Sequence, residues 1–385
     1  MLFEHLLILL TAIWIFRKIF QWLRFPTLFG EVFAGFIVGP MMLGWVTETE
    51  AIKVLAELGV FFLMFHAGLE FSPDSLFKSV RGAVWIAFGG ILTSFLGAYF
   101  VSVWFGFDAF VAVFIALVLT VSGVEITARM LKDSNLSRLK LSQLSMTAAI
   151  VTEVVMLIVF SLFLDIHLTR SFDLAHLAVL FLKVFGYFAL VFWFGQKCSS
   201  FLHRFLYRGN KGFTLSLIVA LVFSVFAEFI GLHFIIGAFL AGLFLQKDLI
   251  DIEMYDKLED RVFGLSYSFL GPIFFASLAF HLDFLPLLTM PWFIGALLIV
   301  VVAGKIFGSG IVARFRMKTI DSFTIGLALN TRGAMALILA AVGYEEGIIS
   351  GEIFSVLVMV SLAGTFLSLF AMKPVAKVLN HQPIL

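Results

Sequence analysis

Along the chain, long apolar runs alternate with short interruptions of charge, glycine or proline. The runs fall at 6–24, 27–45, 52–71, 82–104, 109–131, 141–164, 174–197, 213–231, 232–246, 262–281, 287–313, 322–343 and 353–372. Most approach the ~20 apolar residues that a helix needs to cross the hydrocarbon core of a bilayer. The pattern therefore predicts an all-α polytopic membrane protein with 13 transmembrane helices. The N-terminus carries Glu4 and His5 just before the first run, where a signal peptide would want positive charge, and no small-residue cleavage site follows the run, so it reads as a retained span. The most tightly joined pair of runs meets at Glu228, Gly231 and His233, which predict a very tight outer turn.

Composition supports this pattern. The 385 residues are 62% hydrophobic and 13% charged, against a charged fraction of about 25% in soluble domains, and the spans leave no room for a soluble domain. The 26 Lys and Arg balance 25 Asp and Glu, which removes the basic surface that a nucleic-acid partner would need. Cys198 is the single cysteine, so no intramolecular disulfide forms. The cations are unevenly placed. Twenty of the 26 fall on one side, in alternate connecting segments and the adjoining ends of the runs, among them Arg17, Lys18 and Arg24 toward the end of the first run and Arg314, Arg316 and Lys318 before the twelfth. Lys53 and Arg170 fall in the opposite set, and Arg129, Lys183, Lys305 and Arg332 lie within spans. Positive charge collects on the cytoplasmic side, so the N-terminus is expected outside and the C-terminus inside.

The few polar residues inside the spans narrow the function. A charge at the centre of a membrane helix costs about 2.5–3.5 kcal/mol on insertion scales and implies a partner, a water-filled cavity or a task. Glu153 lies at the middle of 141–164, beside Thr152 and one turn after Ala148 and Ala149, whose small side chains let another backbone come close. A carboxylate at that depth can hold a proton, or an alkali cation with the help of hydroxyl and carbonyl oxygens. A Glu neutralised for helix packing alone is the plainer alternative. Two spans look broken: 109–131 carries Thr120, Ser122, Gly123, Glu125 and Thr127, and 322–343 carries Asn330, Thr331, Arg332 and Gly333. Polar, glycine-containing interruptions at matching depths mark discontinuous helices whose free backbone groups line a site. The broken spans are the fifth and twelfth. An offset of seven makes the two copies enter the membrane from opposite sides, the inverted-repeat architecture of secondary transporters. Lys305 follows Gly304 within 287–313, and reads either as a coupling residue, which pairs with a carboxylate or sheds its proton, or as a structural counter-ion. Arg332 stays charged, so it pairs an acid or fastens broken helix ends.

His66, near the inner end of its span, reads as a water-facing or hydrogen-bonded imidazole, and 246–261 as an amphipathic connecting helix with Leu249, Ile252, Leu258 and Val262 on one face. No CxxC, HExxH, lysine-bearing phosphate loop or nucleophile elbow occurs. An enzyme reading has no residue to stand on and no cofactor is implied.

Several stretches together carry a resemblance: FPTLFGEVFAGFIVGPMMLG (25–44), LAELGVFFLMFHAGLEF (55–71), ITARML (126–131), TAAIVTEVVMLI (147–158), GAFLAGLFL (237–245), GPIFFASLAFHLDF (271–284), Lys305 and TRGAMAL (331–337). They make the chain similar, over nearly its whole length, to the second branch of the monovalent cation:proton antiporters. That branch includes bacterial sodium/proton antiporters and the membrane parts of potassium efflux antiporters. The resemblance implies a homodimer in a bacterial or archaeal inner (cell) membrane, with two crossing discontinuous helices. Residues 82–164 and 287–385 would be the two halves of a moving transport core, and 1–81 and 165–286 the two parts of a scaffold and dimerisation domain. The family's ion-binding pair is commonly two aspartates, or a polar residue and an aspartate, and aligns here with Thr152 and Glu153. Where the family pairs its membrane lysine with the first acid, this chain has a threonine, so Lys305 lacks that partner. Glu125 stands where the family usually carries a small residue. It can share a site with Glu153, or it can pair with Arg129 at i,i+4.

The expected activity is alternating-access exchange of a monovalent cation, Na+ or K+, for protons. Glu153 would hold the cation or the proton, Thr152, Ser122 and Glu125 would ligate, and Lys305, Arg332 and Thr331 would couple charge or support the broken helices. One or two acids suit a monovalent cation, whereas a carboxylate cage suits calcium. A cation channel or a non-transporting sensor on the same scaffold is the alternative, and an organic-anion carrier a third reading that the acids disfavour. Nucleotide gating of the potassium-efflux kind would need a separate cytoplasmic regulatory subunit.

Overall fold

The computed structural model describes residues 2–23, 25–70, 73–136, 139–169, 178–179, 181–184, 186–187, 189, 211–245 and 252–380, without the side chains of 73–81, 211, 252–254 and 380. The described residues form α1 (Leu2–Trp22), α2 (Thr27–Val38), α3 (Glu50–Glu70), α4 (Pro73–Trp104), α5 (Ala109–Thr120), α6 (Val124–Asp133), α7 (Lys140–Thr169), α8 (Lys211–Phe229), α9 (Phe234–Phe244), α10 (Ile252–Leu265), α11 (Gly271–Leu278), α12 (Pro286–Thr289), α13 (Pro291–Arg314), α14 (Thr319–Leu329), α15 (Ala334–Glu345) and α16 (Gly351–Asn380). The protein is all-helical among these residues. Nine helical stretches among them are long and apolar enough to cross a membrane, two of which, Ala109–Asp133 and Thr319–Glu345, are broken in the middle. α2 and α9 are shorter apolar helices. The expected span at 174–197 falls largely outside the described residues.

Several boundaries differ from the sequence expectation, each for a local reason. The run 27–45 is helical only to Val38, because Gly39 leaves the helical conformation and Pro40 cannot continue it. The remainder folds back through bonds from Leu43 N to Ile37 O and from Val46 N to Val38 O. The run expected from 287 starts instead at Pro291, after the one-turn α12, with Met290 out of helical geometry. The connecting helix expected at 246–261 is described only from Ile252, and it does not stop before the next span. It runs into α11 through the π-helical turn Ser266–Leu270, with Leu258 and Val262 buried as the amphipathic face requires.

The chain divides into two compact units. The first comprises residues 1–74 and 160–280. Its helices touch at glycines: a β-carbon on Gly59 would stand 2.6 Å from the Leu270 carbonyl oxygen, and one on Gly35 2.7 Å from the Ala276 Cα. Small residues let membrane helices pack backbone to backbone, where van der Waals contact replaces the hydrophobic drive that lipid removes. Buried Glu31 on α2 meets Arg17 on α1 at 3.4 Å, and Arg17 also donates to the Tyr267 carbonyl in the π-turn at 2.8 Å. His66 is fully buried, with Nε2 3.4 Å from Glu259 Oε1. The imidazole is therefore hydrogen-bonded and not water-facing. The tight turn expected between α8 and α9 forms around Gly231, whose φ of +85° is one that glycine adopts without strain.

The second unit comprises 75–159 and 281–385 and contains one arrangement twice: a long helix, a broken helix and a second long helix. The first set is α4, α5 with α6, and α7; the second is α13, α14 with α15, and α16. α4 and α13 pack closely. A β-carbon on Gly89 would lie 2.6 Å from the Gly308 carbonyl oxygen, and the Thr93 hydroxyl donates to Gly304 O at 2.6 Å. This contact fixes the register of α13, and with it the height of Lys305.

Candidate functional site

Both sequence-predicted breaks are present, and they interlock. α5 ends at Thr120 and α6 begins at Val124; α14 ends at Leu329 and α15 begins at Ala334. Between them Val121, Gly123 and Gly333 are extended. A broken helix leaves backbone donors and acceptors that must be satisfied where no water reaches, and here each break satisfies the other. Gly123 N donates to Thr331 O at 2.7 Å, and the Thr331 hydroxyl lies 3.3 Å from Gly123 O. The Ser122 hydroxyl donates to Leu329 O at 2.7 Å and that of Thr127 to Ala328 O at 3.0 Å, while Thr127 and Thr331 bond through their hydroxyls at 2.7 Å. The contact requires glycine, since a β-carbon on Gly123 would stand 2.6 Å from Gly333 Cα.

Four half-helix ends meet at this crossing. A helix C-terminus carries roughly half a negative charge and an N-terminus half a positive one. Arg332, 2% exposed, serves the negative ends. Its Nε and Nη2 donate to Leu119 O, at the end of α5, at 3.1 and 2.9 Å, and its Nη1 donates to the carbonyl and side-chain oxygens of Asn330, past the end of α14, at 3.0 and 3.1 Å. Lys305, 1% exposed, reaches the end of α14 indirectly: Nζ donates to Ser122 Oγ at 2.9 Å, and the Ser122 hydroxyl donates to Leu329 O. The Ser122 oxygen, expected as a cation ligand, is thus engaged by the lysine. At the positive ends stands an acid. Half-buried Glu125 occupies the first turn of α6, and its Oε2 lies 4.0 Å from where a β-carbon on Gly333 would be, at the start of α15. Arg129 forms an ion pair with Asp133 at 3.6 Å.

α7 runs beside this crossing. Ala148 and Ala149 are wholly buried in one cluster with Met130, Ala328 and Leu329, and Val151 and Val124 pack against it. The following turn carries buried Thr152, whose hydroxyl donates to Ala148 O at 2.8 Å, and half-buried Glu153. Thr152 therefore spends its proton within its own helix and keeps oxygen lone pairs to offer, as a cation ligand must.

Two groups of residues escaped the sequence reading. Thr365 and Ser368 on α16 hold the second break: Arg332 N donates to Thr365 Oγ1 at 2.8 Å, and the Asn330 amide donates to Ser368 Oγ at 2.7 Å. Thr93 on α4 holds the Lys305 helix. The only signal was a stripe, Ser361, Gly364, Thr365 and Ser368 at helical spacing, of the kind that membrane helices also use merely to pack.

Comparison with known proteins accords with this geometry. The family described as "Sodium/hydrogen exchanger, transmembrane" matches residues 6–378. The Na+/H+-K+ antiporter GerN of Bacillus cereus is 29% identical over 347 residues, which span 89% of this chain and 88% of that protein. A Na+/H+ antiporter of Enterococcus hirae is 29% identical over 352 residues, 90% of this chain and 91% of that protein. The solved structure of the sodium proton antiporter MjNhaP1 from Methanocaldococcus jannaschii at pH 8 superposes with a TM-score of 0.76 and covers 98% of both chains at 14% identity, a likeness of fold. With the family matched over almost its entire length, the chain belongs to the transmembrane sodium/hydrogen exchangers, which are transporters and not enzymes.

Proposed function

We propose that this protein is a secondary active transporter exchanging a monovalent cation, Na+ or K+, for protons by alternating access, with Glu153 holding cation and proton in turn. The observation that carries the reading is the pair of interlocked broken helices beside α7, with Lys305 hydrogen-bonded into the crossing through Ser122. A lysine at that spot repels a second cation nearby, so occupancy of Glu153 by a proton or a metal ion is felt by the whole crossing. Thr152 and Glu125 complete an oxygen-rich neighbourhood with too few acids for a calcium cage. Relatives named as Na+/H+ and Na+/H+-K+ antiporters support the cation class.

In this reading all thirteen apolar runs span the membrane, with the N-terminus outside and the C-terminus inside. Residues 82–164 and 287–385 move, and 1–81 and 165–286 form the scaffold and the homodimer contact. The setting is the cell membrane of a bacterium or archaeon, and the role is pH and cation homeostasis. The test is a proteoliposome assay with a pH-sensitive dye, adding Na+, K+ and Li+ in turn to wild type and Glu153→Gln. Cation-evoked proton movement in wild type and its loss in the variant are expected. Folded wild type that moves no protons on cation addition would overturn the reading in favour of a channel or sensor.

A further inference from the structure

We propose that Thr365 is a positioning residue for cation binding: from α16 it fixes the peptide at Arg332, and so sets the geometry of the crossing into which the cation binds. The inference rests on the exchange reading above.

α16 turns one polar stripe to the second break. Ser361, Gly364, Thr365 and Ser368 lie at i, i+3, i+4 and i+7, on one helix face; the three hydroxyl residues are buried and Gly364 makes room for Arg332. Each does something different. Ser368 accepts from the Asn330 amide at 2.7 Å and lies 3.1 Å from Gly364 O. A β-carbon on Gly364 would stand 2.7 Å from Arg332 Nη1, so glycine is needed for the guanidinium to reach Leu119 and Asn330. Thr365 accepts from Arg332 N at 2.8 Å, and its hydroxyl faces two acceptors, Arg332 O at 3.1 Å and Ser361 O at 2.9 Å. One proton cannot serve both fully, so Thr365 either closes the clamp on Arg332 or bonds back into its own helix. Ser361 Oγ, one turn earlier, is buried without a hydrogen-bond partner.

The consequence is mechanical. Asn330 and Arg332 are both pinned to α16, and Thr331 between them supplies the bonds to Gly123 and Thr127. Releasing the Arg332 peptide lets Thr331 and the guanidinium drift together, changing what Glu125 and Ser122 face without removing any ligand. The repeat sharpens the point. Thr152 stands 29 residues after Gly123 and Thr365 stands 32 after Gly333, and both back-bond to the residue four earlier. One repeat uses its threonine beside the binding carboxylate and the other uses its threonine to hold the break.

The test compares wild type, Thr365→Val, which keeps the shape but cannot accept from Arg332 N, and Thr365→Ser, which restores the hydroxyl. Cation-evoked proton movement is measured in proteoliposomes against Na+ or K+ concentration and pH. Thr365→Val is expected to raise the half-saturating cation concentration about tenfold, with a smaller change in maximal rate, since a buried N–H is left unsatisfied. Its pH profile should shift, and Thr365→Ser should return both to near wild type. A folded Thr365→Val with wild-type half-saturation and pH profile would overturn the inference while leaving exchange intact. Wild type without exchange would overturn both. Should Thr365→Val not fold, Ser368→Ala is read the same way: weaker cation saturation supports the clamp, and wild-type saturation overturns it.

Discussion

The two broken helices share a design and differ in their surroundings. In the second, every residue from 324 to 343 is buried, and the break is held from behind by α16 and from the front by the first helix. In the first, burial is complete from Phe114 to Gly123, but Val124, Glu125, Ala128 and Arg129 are only half-buried. The second break carries a fixed cation, Arg332, and the first an acid, Glu125, just past its glycine. An encased cation that fastens two helix ends is an anchor, and an acid at a half-open helix start can meet an ion. In the proposed exchange, one break holds while the other faces the ion.

This contrast can be broken at several points. The largest effect is expected from Arg332→Leu, which leaves Leu119 O and both oxygens of Asn330 without their donors. Each unsatisfied buried group costs about 1–3 kcal/mol, so exchange should vanish and the melting temperature in detergent should fall. Arg332→Lys should rescue little, because a point charge cannot reach two helix ends as a planar fork does. Next is Gly123→Ala, whose new methyl group meets Gly333. Overpacking of about 1–3 kcal/mol should slow exchange about tenfold, whereas Gly295→Ala, with nothing within 4 Å of its β-carbon, should behave as wild type. The smallest effects separate the acid from its neighbour. A carboxylate in a helix's first turn contributes about 0.3–1 kcal/mol, so Glu125→Gln should weaken cation saturation about threefold if it acts only on the helix ends, and more if it ligates the ion. Arg129→Gln, which removes an exposed pair worth about 0–1 kcal/mol, should change saturation less than twofold. Equal effects of the two substitutions would erase the assigned difference between Glu125 and its surroundings.

The breaks were legible in the sequence because glycine beside several polar residues weakens a helix in lipid, a cost that is met where the unwound backbone lines a site. Glu153, Lys305 and Arg332 stood out on similar grounds, as charges at depth. Their partners did not. Lys305 and Ser122 are 183 positions apart and Arg332 and Leu119 are 213 apart, and spacing along one helix cannot reveal a hydroxyl or a carbonyl on another. Thr365 and Ser368 looked like packing residues because a hydroxyl stripe reads identically whether it faces a neighbour's side chains or an unwound backbone. The π-turn at 266–270, inside the run expected as one span, had no signal of its own, since its cost is met by tertiary bonds from Ser266 to Phe62 O and from Arg17 to Tyr267 O.

Shared occupancy of Glu153 by cation and proton is tested most directly by calorimetry of Na+ and K+ binding to the purified protein, in buffers of different ionisation enthalpy. The heats give the protons released per cation bound. Competition at one carboxylate predicts release of about half a proton per cation at the midpoint of the carboxylate's titration, rising toward one at lower pH and falling toward zero at higher pH, and no release from Glu153→Gln. Cation binding without proton release in wild type, or with the same release in Glu153→Gln, would contradict a common site at Glu153.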